Sequence, residues 1–379
     1  MTDASGADAS GAGSQPADEP RGEILGCKCS AADAPGWAAI DERLKAVYGT
    51  APERFFETTA SKSDGGDDPL EGIAVYRADD PHPHWHLVAL GSSELFDKMW
   101  NKPEVSGWGF ELTFRVACDP DESSPPGWAL GLMQSIARYV DVTGRPFAPS
   151  QHMDAFGPLD PETDTALTAV CFAEDPVLGT LETPNGLVRF LQIVGIAADE
   201  RVLVLEWDAA AFMDVLTEQD PMLVTDLGRP SLLDDPATAQ QLRARADAEG
   251  SSVAGAFVDA LRWEPSDGGV DLVIGALHVP ALGRGLLRRV AVGKSYELTT
   301  VDEEGLRRAL VLSPGDAQRI AASEERLELT LTPAQARALA EEIDGLRGRY
   351  EVSSLPSLAV VVEPTEIRDD DDEVVEVVG

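Results

Sequence analysis

HWHLVALGSSELF (His84–Phe96) opens the stretch of sequence that decides the fold. Four blocks follow in order: SGWGFELTFRV (106–116), PPGWALGLMQSIARYV (125–140), GPLD (157–160) and TPNGLVRFLQIVGI (183–196). Residues 111–116 alternate as a strand does, the third block changes to helical spacing after two prolines, and the last begins with a turn signal and continues as a strand. Strands interrupted by one helix predict a mixed α+β domain rather than a regular doubly wound one.

The same periodicities predict the other elements of the first half. In WAAIDERLKAVYG, apolar residues recur at helical spacing from Trp37 to Val47, and Gly49 is placed to end the helix. In the 125–140 block, the predicted buried face of the helix is Trp128, Leu130, Leu132, Ile136 and Val140. Strands are predicted at 72–77, 86–91, 166–172, 187–196 and 223–226, with a short helix at 212–216.

The second half begins with a charged, Ala-rich stretch that contains one predicted helix at 236–249. Beyond it, strands are predicted at 270–277, as a pair around 286–298, at 326–332 and at 358–362. Thr332 followed by Pro333 is a helix-start signal, because threonine caps the first turn and proline fits its first position.

A length of 379 residues suits two domains better than one core. Composition changes divide the chain into a disordered N-terminal tail (1–34), a first domain (35–229), a bridge (230–265), a second lobe (266–364) and an acidic disordered tail (365–379). The fold class that we predict is therefore α+β, with two mixed lobes and a cleft between them.

The charge of the chain restricts its partners. Asp and Glu total 67 against 30 Lys and Arg, which gives a formal net charge of −37. Such a field repels phosphate backbones and anionic lipid, so we expect no nucleic-acid or membrane partner. A basic protein or peptide is the partner that this charge attracts. The sequence shows neither a membrane span nor a secretory signal, and its four cysteines suit a reducing compartment, so we expect a cytoplasmic protein.

Two groups of residues in the sequence are of types that can ligate a metal ion. His82, His84 and His86 alternate, as ligands on one strand face would, but Pro81 and Pro83 interrupt strand geometry and no fourth ligand is visible. Cys27-x-Cys29 has no partner CxxC motif and lies in the predicted tail. We therefore predict no metal and no cofactor.

Only one nucleophile pair offers an enzymatic alternative, a cysteine-dependent hydrolase with Cys171 as nucleophile and His152 as base. Cys171 lies in the apolar strand pattern TAVCF, which favours a buried structural thiol. The sequence has no GxSxG elbow and no phosphate-binding or dinucleotide-binding fingerprint. We therefore predict no catalytic residues and a protein that is not an enzyme.

In order and spacing, the five blocks resemble the suppressor of fused family. The resemblance extends over residues 36–363 and is fainter in VPALGRGLLRRVAVGKSYEL (279–298) and LELTLTPAQARALAEEI (327–343). It implies two α/β lobes joined by a bridge and a binding function without catalysis. Animal members hold a transcription factor by clamping a short peptide between the lobes as an added strand, which is recognition by β-augmentation.

The resemblance also implies the partner-binding residues. Tyr139 matches the clamp tyrosine of the family, and Gln151 and His152 match an Asp-His pair, so Gln151 lacks the charge that the animal members use. The strand near Leu272 is expected to face the cleft from the second lobe. The chain lacks the long insertion of the animal proteins, as do shorter bacterial members that resemble immunity proteins. We therefore expect a sequestering protein, with a toxin-immunity role, and keep as an alternative a regulator that masks a linear motif of a host protein.

Overall fold

The computed structural model describes residues 25–27, 29–301, 305–368 and 373–379. These residues form two compact units. The first comprises the described residues up to Phe114 together with Cys118–Pro146 and Glu174–Gln192, and the second comprises Arg115–Ala117, Phe147–Ala173 and Ile193–Gly379. Most of the predicted N-terminal tail lies outside the described residues. Leu25 and Ala34, within its last ten residues, are buried in the core of the first unit.

Seven α-helices are described: α1 (Pro35–Tyr48), α2 (Gly127–Thr143), α3 (Ala198–Glu206), α4 (Ala209–Gln219), α5 (Pro236–Glu249), α6 (Val279–Arg288) and α7 (Pro333–Glu342). Two helix-end signals predicted from the sequence, at the end of α1 and the start of α7, are confirmed. Gly49 ends α1 in the left-handed conformation at φ 67°. The Thr332 hydroxyl accepts from the N–H of Gln335 at 3.2 Å and caps α7, which has Pro333 at its first position.

Eight strands form the first sheet: β1 (Arg54–Glu57), β2 (Gly72–Ala78), β3 (His84–Leu90), β4 (Val105–Ala117), β5 (His152–Asp154), β6 (Leu167–Glu174), β7 (Thr180–Thr183) and β8 (Gly186–Ala197). Their order is β1-β2-β3-β4-β8-β6-β5, with β7 paired to β8. The TPNG turn joins β7 and β8 as an antiparallel pair, as its sequence predicts. The short strand β5 ends the order.

The remaining strands are β9 (Gly255–Phe257), β10 (Leu261–Ser266), β11 (Gly269–Gly275), β12 (Tyr296–Val301), β13 (Arg307–Pro314), β14 (Arg319–Ala322), β15 (Arg326–Leu331), β16 (Gly348–Glu351), β17 (Leu358–Glu363), β18 (Thr365–Arg368) and β19 (Val374–Val378). They form a four-stranded sheet in the order β10-β11-β17-β16, a five-stranded sheet in the order β14-β15-β13-β12-β9, and the pair β18-β19. The mixture of helices and sheets confirms the α+β class.

Three local predictions differ from the structure. The strand pair predicted around 286–298 is wrong at its start, because Leu286 belongs to the buried face of helix α6 together with Val279 and Leu282, and the strand of this region begins only at Tyr296. No strand forms at 223–226, where Leu223 takes a left-handed φ of 53°. The predicted acidic tail contains the paired strands β18 and β19 on either side of residues 369–372, which lie outside the described residues.

The bridge and helix α2 also differ in detail from expectation. Leu242 and Ala246 of α5, in the predicted bridge, are buried in a hydrophobic cluster with Trp207. In α2 the buried face is Ala129, Met133, Ile136, Ala137 and Val140. The predicted Trp128, Leu130 and Leu132 are only partly buried, so the helix is rotated relative to the predicted face. The domain boundaries predicted from composition stay predictions.

Candidate functional site

Among the described residues, no strand pairs with β5 on the side away from β6, which leaves an open edge with defined hydrogen-bonding groups. It pairs antiparallel with β6, with His152 opposite Cys171 and Asp154 opposite Ala169. Gln151 accepts at its carbonyl from the N–H of Phe172 at 2.9 Å, and the N–H of Ala155 donates to the carbonyl of Thr168 at 3.0 Å. Hydrogen-bonded positions alternate along an antiparallel pair, so the main-chain groups of His152 and Asp154 point away from β6.

The His152 side chain is half-buried, and its Nδ1 atom has no hydrogen-bond partner within the part of the chain that the structure describes. Burial lowers the pKa of His152, and the positive charge of Arg201 lowers it further. The imidazole is therefore neutral at neutral pH. The Arg201 guanidinium also forms an ion pair with Asp154 at 3.0 Å, which compensates the only acidic side chain of β5. The side chains at this edge thus carry little net charge.

Gln151 precedes β5 and is exposed. Its side-chain Oε1 accepts from the N–H of Ala148 at 3.0 Å, and its own N–H donates to the Ala148 carbonyl at 3.2 Å. The Gln151 amide thus stabilises the turn that leads into β5. Gln151 and His152 are adjacent and belong to the second unit.

Tyr139 lies in the last turn of α2, in the first unit, and is 41 % exposed. Its exposure is unusual for a large aromatic side chain in a helix whose neighbours Ile136 and Val140 are buried. Exposed aromatic side chains are enriched at protein interfaces, so the geometry is compatible with partner contact.

Leu272, the fourth residue expected at the site, is fully buried. Its strand β11 lies between β10 and β17 and has no open edge. The Leu272 side chain therefore packs in a core and is not available to a partner in this fold. The sequence pattern predicted this strand but not its position in the sheet, which depends on residues far away in the sequence.

Strand β9 is the edge that the sequence did not identify. It ends the order of the five-stranded sheet, parallel to β12. The N–H of Glu297 donates to the Ala254 carbonyl, and the N–H of Val258 donates to the Thr299 carbonyl, both at 2.9 Å. By the alternation of a parallel ladder, the main-chain groups of Gly255 and Phe257 point away from β12. Phe257 is also 66 % exposed.

Phe156 is another feature of the candidate site that the sequence did not predict. It follows β5, is 93 % exposed, and has a left-handed φ of 58°. The Asp154 Oδ1 atom accepts from the N–H of Phe156 at 2.8 Å and holds this turn. An exposed aromatic side chain beside an open strand edge suits an interface anchor. The only sequence signal was the Phe-Gly pair that leads into the GPLD block.

Cys171 and His152 are opposite each other on β6 and β5, but the thiol is fully buried. Burial, and to a lesser degree the nearby Glu200 carboxylate, raise the pKa of Cys171 to about 12. Because the thiolate is the nucleophilic form, this thiol is inert at neutral pH, and the geometry gives the hydrolase alternative no support.

Alkylation of the native protein tests this conclusion. With iodoacetamide at pH 8, we expect Cys171 to react at least about 100-fold more slowly than in urea-unfolded protein, since both access and ionisation are suppressed. The partly exposed Cys118 is the internal control, and peptide mass spectrometry reads both sites. Labelling of Cys171 at the rate of Cys118 in native protein would restore the thiol as a candidate nucleophile.

The two groups of residues that could ligate a metal have protein partners instead. His86 Nε2 lies 3.0 Å from Asp175 Oδ2, and both side chains are buried. His84 Nδ1 lies 2.8 Å from the His82 carbonyl. Cys27 and Cys29 are joined by a disulfide. Across the part of the chain that the structure describes, no three His, Cys, Asp or Glu side chains are grouped to hold a metal ion. Within the same residues, the helices are too short or too polar to cross a bilayer.

Comparisons with known proteins identify similar chains. Residues 66–230 match the family model described as Suppressor of fused protein (SUFU). The human Suppressor of fused homolog is 32 % identical over an alignment of 208 residues, and the match covers 50 % of this chain and 43 % of that protein. The match thus spans less than half the length of this curated relative.

Two solved structures extend the comparison. The crystal structure of Drosophila Suppressor of Fused matches with a TM-score of 0.72 and 22 % identity, covering 87 % of this chain and 97 % of the other. This likeness concerns the fold alone. A chain in the crystal structure of the Sufu-Fu complex matches with a TM-score of 0.51 and 31 % identity, covering 55 % of this chain and 98 % of the other.

Proposed function

The chain belongs to the suppressor of fused family, and from this we propose that it is a binding protein that holds an extended segment of a partner protein as an added strand on β5. The observation that carries the proposal is the direction of the main-chain groups of His152 and Asp154, which face the open edge. Strand addition uses such groups for affinity and the neighbouring side chains for selectivity. Gln151, His152 and Phe156, at or beside this edge in the second unit, are the side chains that we assign to selectivity. Tyr139, in the first unit, is proposed separately as a partner contact.

A clamp on an extended segment needs a second edge, and we place it at β9 rather than at the strand of Leu272. The outward main-chain groups of Gly255 and Phe257 support this choice, as does the exposed Phe257 ring. Leu272 keeps a role only in the core beneath its sheet.

The partner that we propose is basic. A net charge of −37 accelerates encounter with a positively charged protein, while the nearly neutral β5 edge leaves recognition to hydrogen bonds and apolar contacts. A basic toxin domain, neutralised in the cytoplasm by an immunity protein, fits these properties. The alternative partner is a linear motif of a host regulator. The chain matched in the Sufu-Fu complex supports a protein partner for either role.

A proline at position 152 tests the strand-addition mode. Proline is tolerated at a strand edge where the lost N–H faces outward, so His152→Pro should keep the β5-β6 ladder. It removes one outward donor and blocks the approach of a partner strand. For 12-residue peptides selected on the wild-type protein from a random display library, we expect affinity to fall at least about tenfold. Isothermal titration measures the loss.

The matched control is Ala322→Pro on the opposite edge of the five-stranded sheet. Ser323 donates to the Arg326 carbonyl at 2.8 Å, so alternation directs the Ala322 N–H away from β15 as well. This variant should bind as wild type does. Hydrogen exchange should also show new protection at the amides of His152 and Asp154 in the wild-type complex. Unchanged affinity of a folded His152→Pro variant, with no protection at β5, would refute the proposed edge.

A further inference from the structure

A cavity of about 490 Å³ lies in the second unit between α6, α7 and the end of β19. Its lining is mainly apolar, and this volume is within the range of ordinary ligand sites. Val279, Leu282 and Leu286 of α6 form one wall, and Ile343 and Leu346 form another, together with Val378. We call this cavity the α6–α7 groove.

Gly283 keeps the groove open. It lies inside α6, where glycine is less favourable than alanine because its backbone loses more conformational entropy on forming a helix. A Cβ atom built on Gly283 meets no atom within 4 Å, so packing does not require glycine there. Gly285, two residues later, differs, since its Cβ would lie 2.2 Å from the Tyr296 ring. Because Gly283 lines the groove and its Cβ position is open, a side chain at position 283 would begin in the space beside the groove.

The charge of the lining indicates the occupant. Asp344 is the one ionisable side chain among the lining residues, all of which the structure describes. A hydrogen bond from the Tyr350 hydroxyl lowers the pKa of Asp344, so its carboxylate is charged at neutral pH. The arginines next to the lining in sequence lie near other groups, Arg284 near Tyr296 and Arg347 near Glu363. The groove therefore combines an apolar surface with one negatively charged side chain.

We propose that the α6–α7 groove is a second docking site, which takes an apolar side chain of a partner segment that has a lysine or arginine beside it. The apolar side chain lies against Leu282, Leu286 and Ile343, and the basic group lies beside Asp344. The net charge of the whole chain favours the same kind of partner. The proposal rests on the proposed function only in that the ligand is a protein segment, since its residues are not those of β5 or β9.

Short defined peptides test the site without knowledge of the natural partner. The probe is acetyl-Lys-Leu-Leu-Lys-amide, compared with its twins in which Glu replaces Lys or Ser replaces Leu. Methyl NMR of the full chain should show saturable shifts at Leu282, Leu286 and Ile343 with the lysine peptide. Both twins should bind at least about tenfold more weakly. Absence of saturable shifts, or equal binding of the glutamate twin, would overturn the proposal.

Variants separate this groove from the β5 edge. Gly283→Leu should fill the groove and reduce binding at least about tenfold, while Gly131→Leu, at an open helical glycine of α2, should not. If Gly283→Leu does not fold, Asp344→Asn serves in its place and should weaken the lysine peptide selectively. His152→Pro should leave the shifts unchanged even if it abolishes strand addition. Shifts that survive Gly283→Leu, or that His152→Pro removes, would show that the peptide binds elsewhere.

Discussion

Replacing Glu200 with alanine is expected to lower the free energy of unfolding by about 3 to 5 kcal/mol. The Glu200 side chain is fully buried at the start of α3. Its Oε1 atom accepts from Arg229 Nη1 at 2.6 Å and from the N–H of Leu232 at 2.7 Å. Its Oε2 atom accepts from Arg229 Nη2 and the N–H of Ala197, both at 2.8 Å. Without the carboxylate, the largely buried Arg229 guanidinium loses its charged partner and keeps the Pro230 and Gly195 carbonyls as acceptors, and two N–H groups lose their acceptor.

Urea unfolding monitored by circular dichroism measures this loss. Glu264→Ala is the matched control, because Glu264 is 65 % exposed and pairs with Arg262 at 3.5 Å. We expect its effect to stay within about 0.5 kcal/mol. A Glu200→Ala effect as small as that of the control would mean that water or a rearranged side chain replaces the carboxylate. The same variant should loosen β5, because Arg201, the next residue of α3, holds Asp154.

Local signals in the sequence predicted several helix ends. Thr332 with Pro333, Gly49 at the end of α1, and the helix at 236–249 all match the structure. These signals work because capping and proline geometry involve residues within one helical turn. Hydrophobic periodicity gave a wrong prediction in one region of the second half. The strand pair predicted around 286–298 begins too early, because Val279, Leu282 and Leu286 recur at helical spacing and belong to the amphipathic helix α6.

The candidate site was only partly predictable for a physical reason. Tyr139, Gln151 and His152 were predicted from the resemblance to the family, but the outward direction of the main-chain groups of His152 and Asp154 was not. That direction depends on the register of β5 against β6, which residues 168–172 set. The edge status of β9 and the buried position of Leu272 likewise depend on strand order, which forms between residues far apart in sequence.

Glu111 provides the second large effect, which depends on pH. Its carboxyl group on β4 is fully buried and accepts from the N–H groups of Gly91, Ser92 and Ser93 at 2.9 to 3.1 Å, and from the Ser93 hydroxyl at 2.6 Å. Burial nevertheless raises the pKa of Glu111 to about 7 from its ordinary value of 4.5. The folded protein therefore binds this proton more tightly than the unfolded chain does.

The sign of the pH effect follows from this difference. The contribution of Glu111 to stability is complete below pH 4.5, decreases as pH rises, and is lost above about 7. Relative to Glu111→Gln, which cannot ionise, the wild-type protein should lose about 3 kcal/mol of unfolding free energy between pH 4.5 and pH 8. His152, whose lowered pKa makes stability fall as pH decreases, is present in both proteins and cancels in the comparison. The measurement is the unfolding free energy of both proteins at several pH values across this range. If the difference between the two free energies does not change with pH, the three N–H donors and the serine hydroxyl offset the cost of burying the charge.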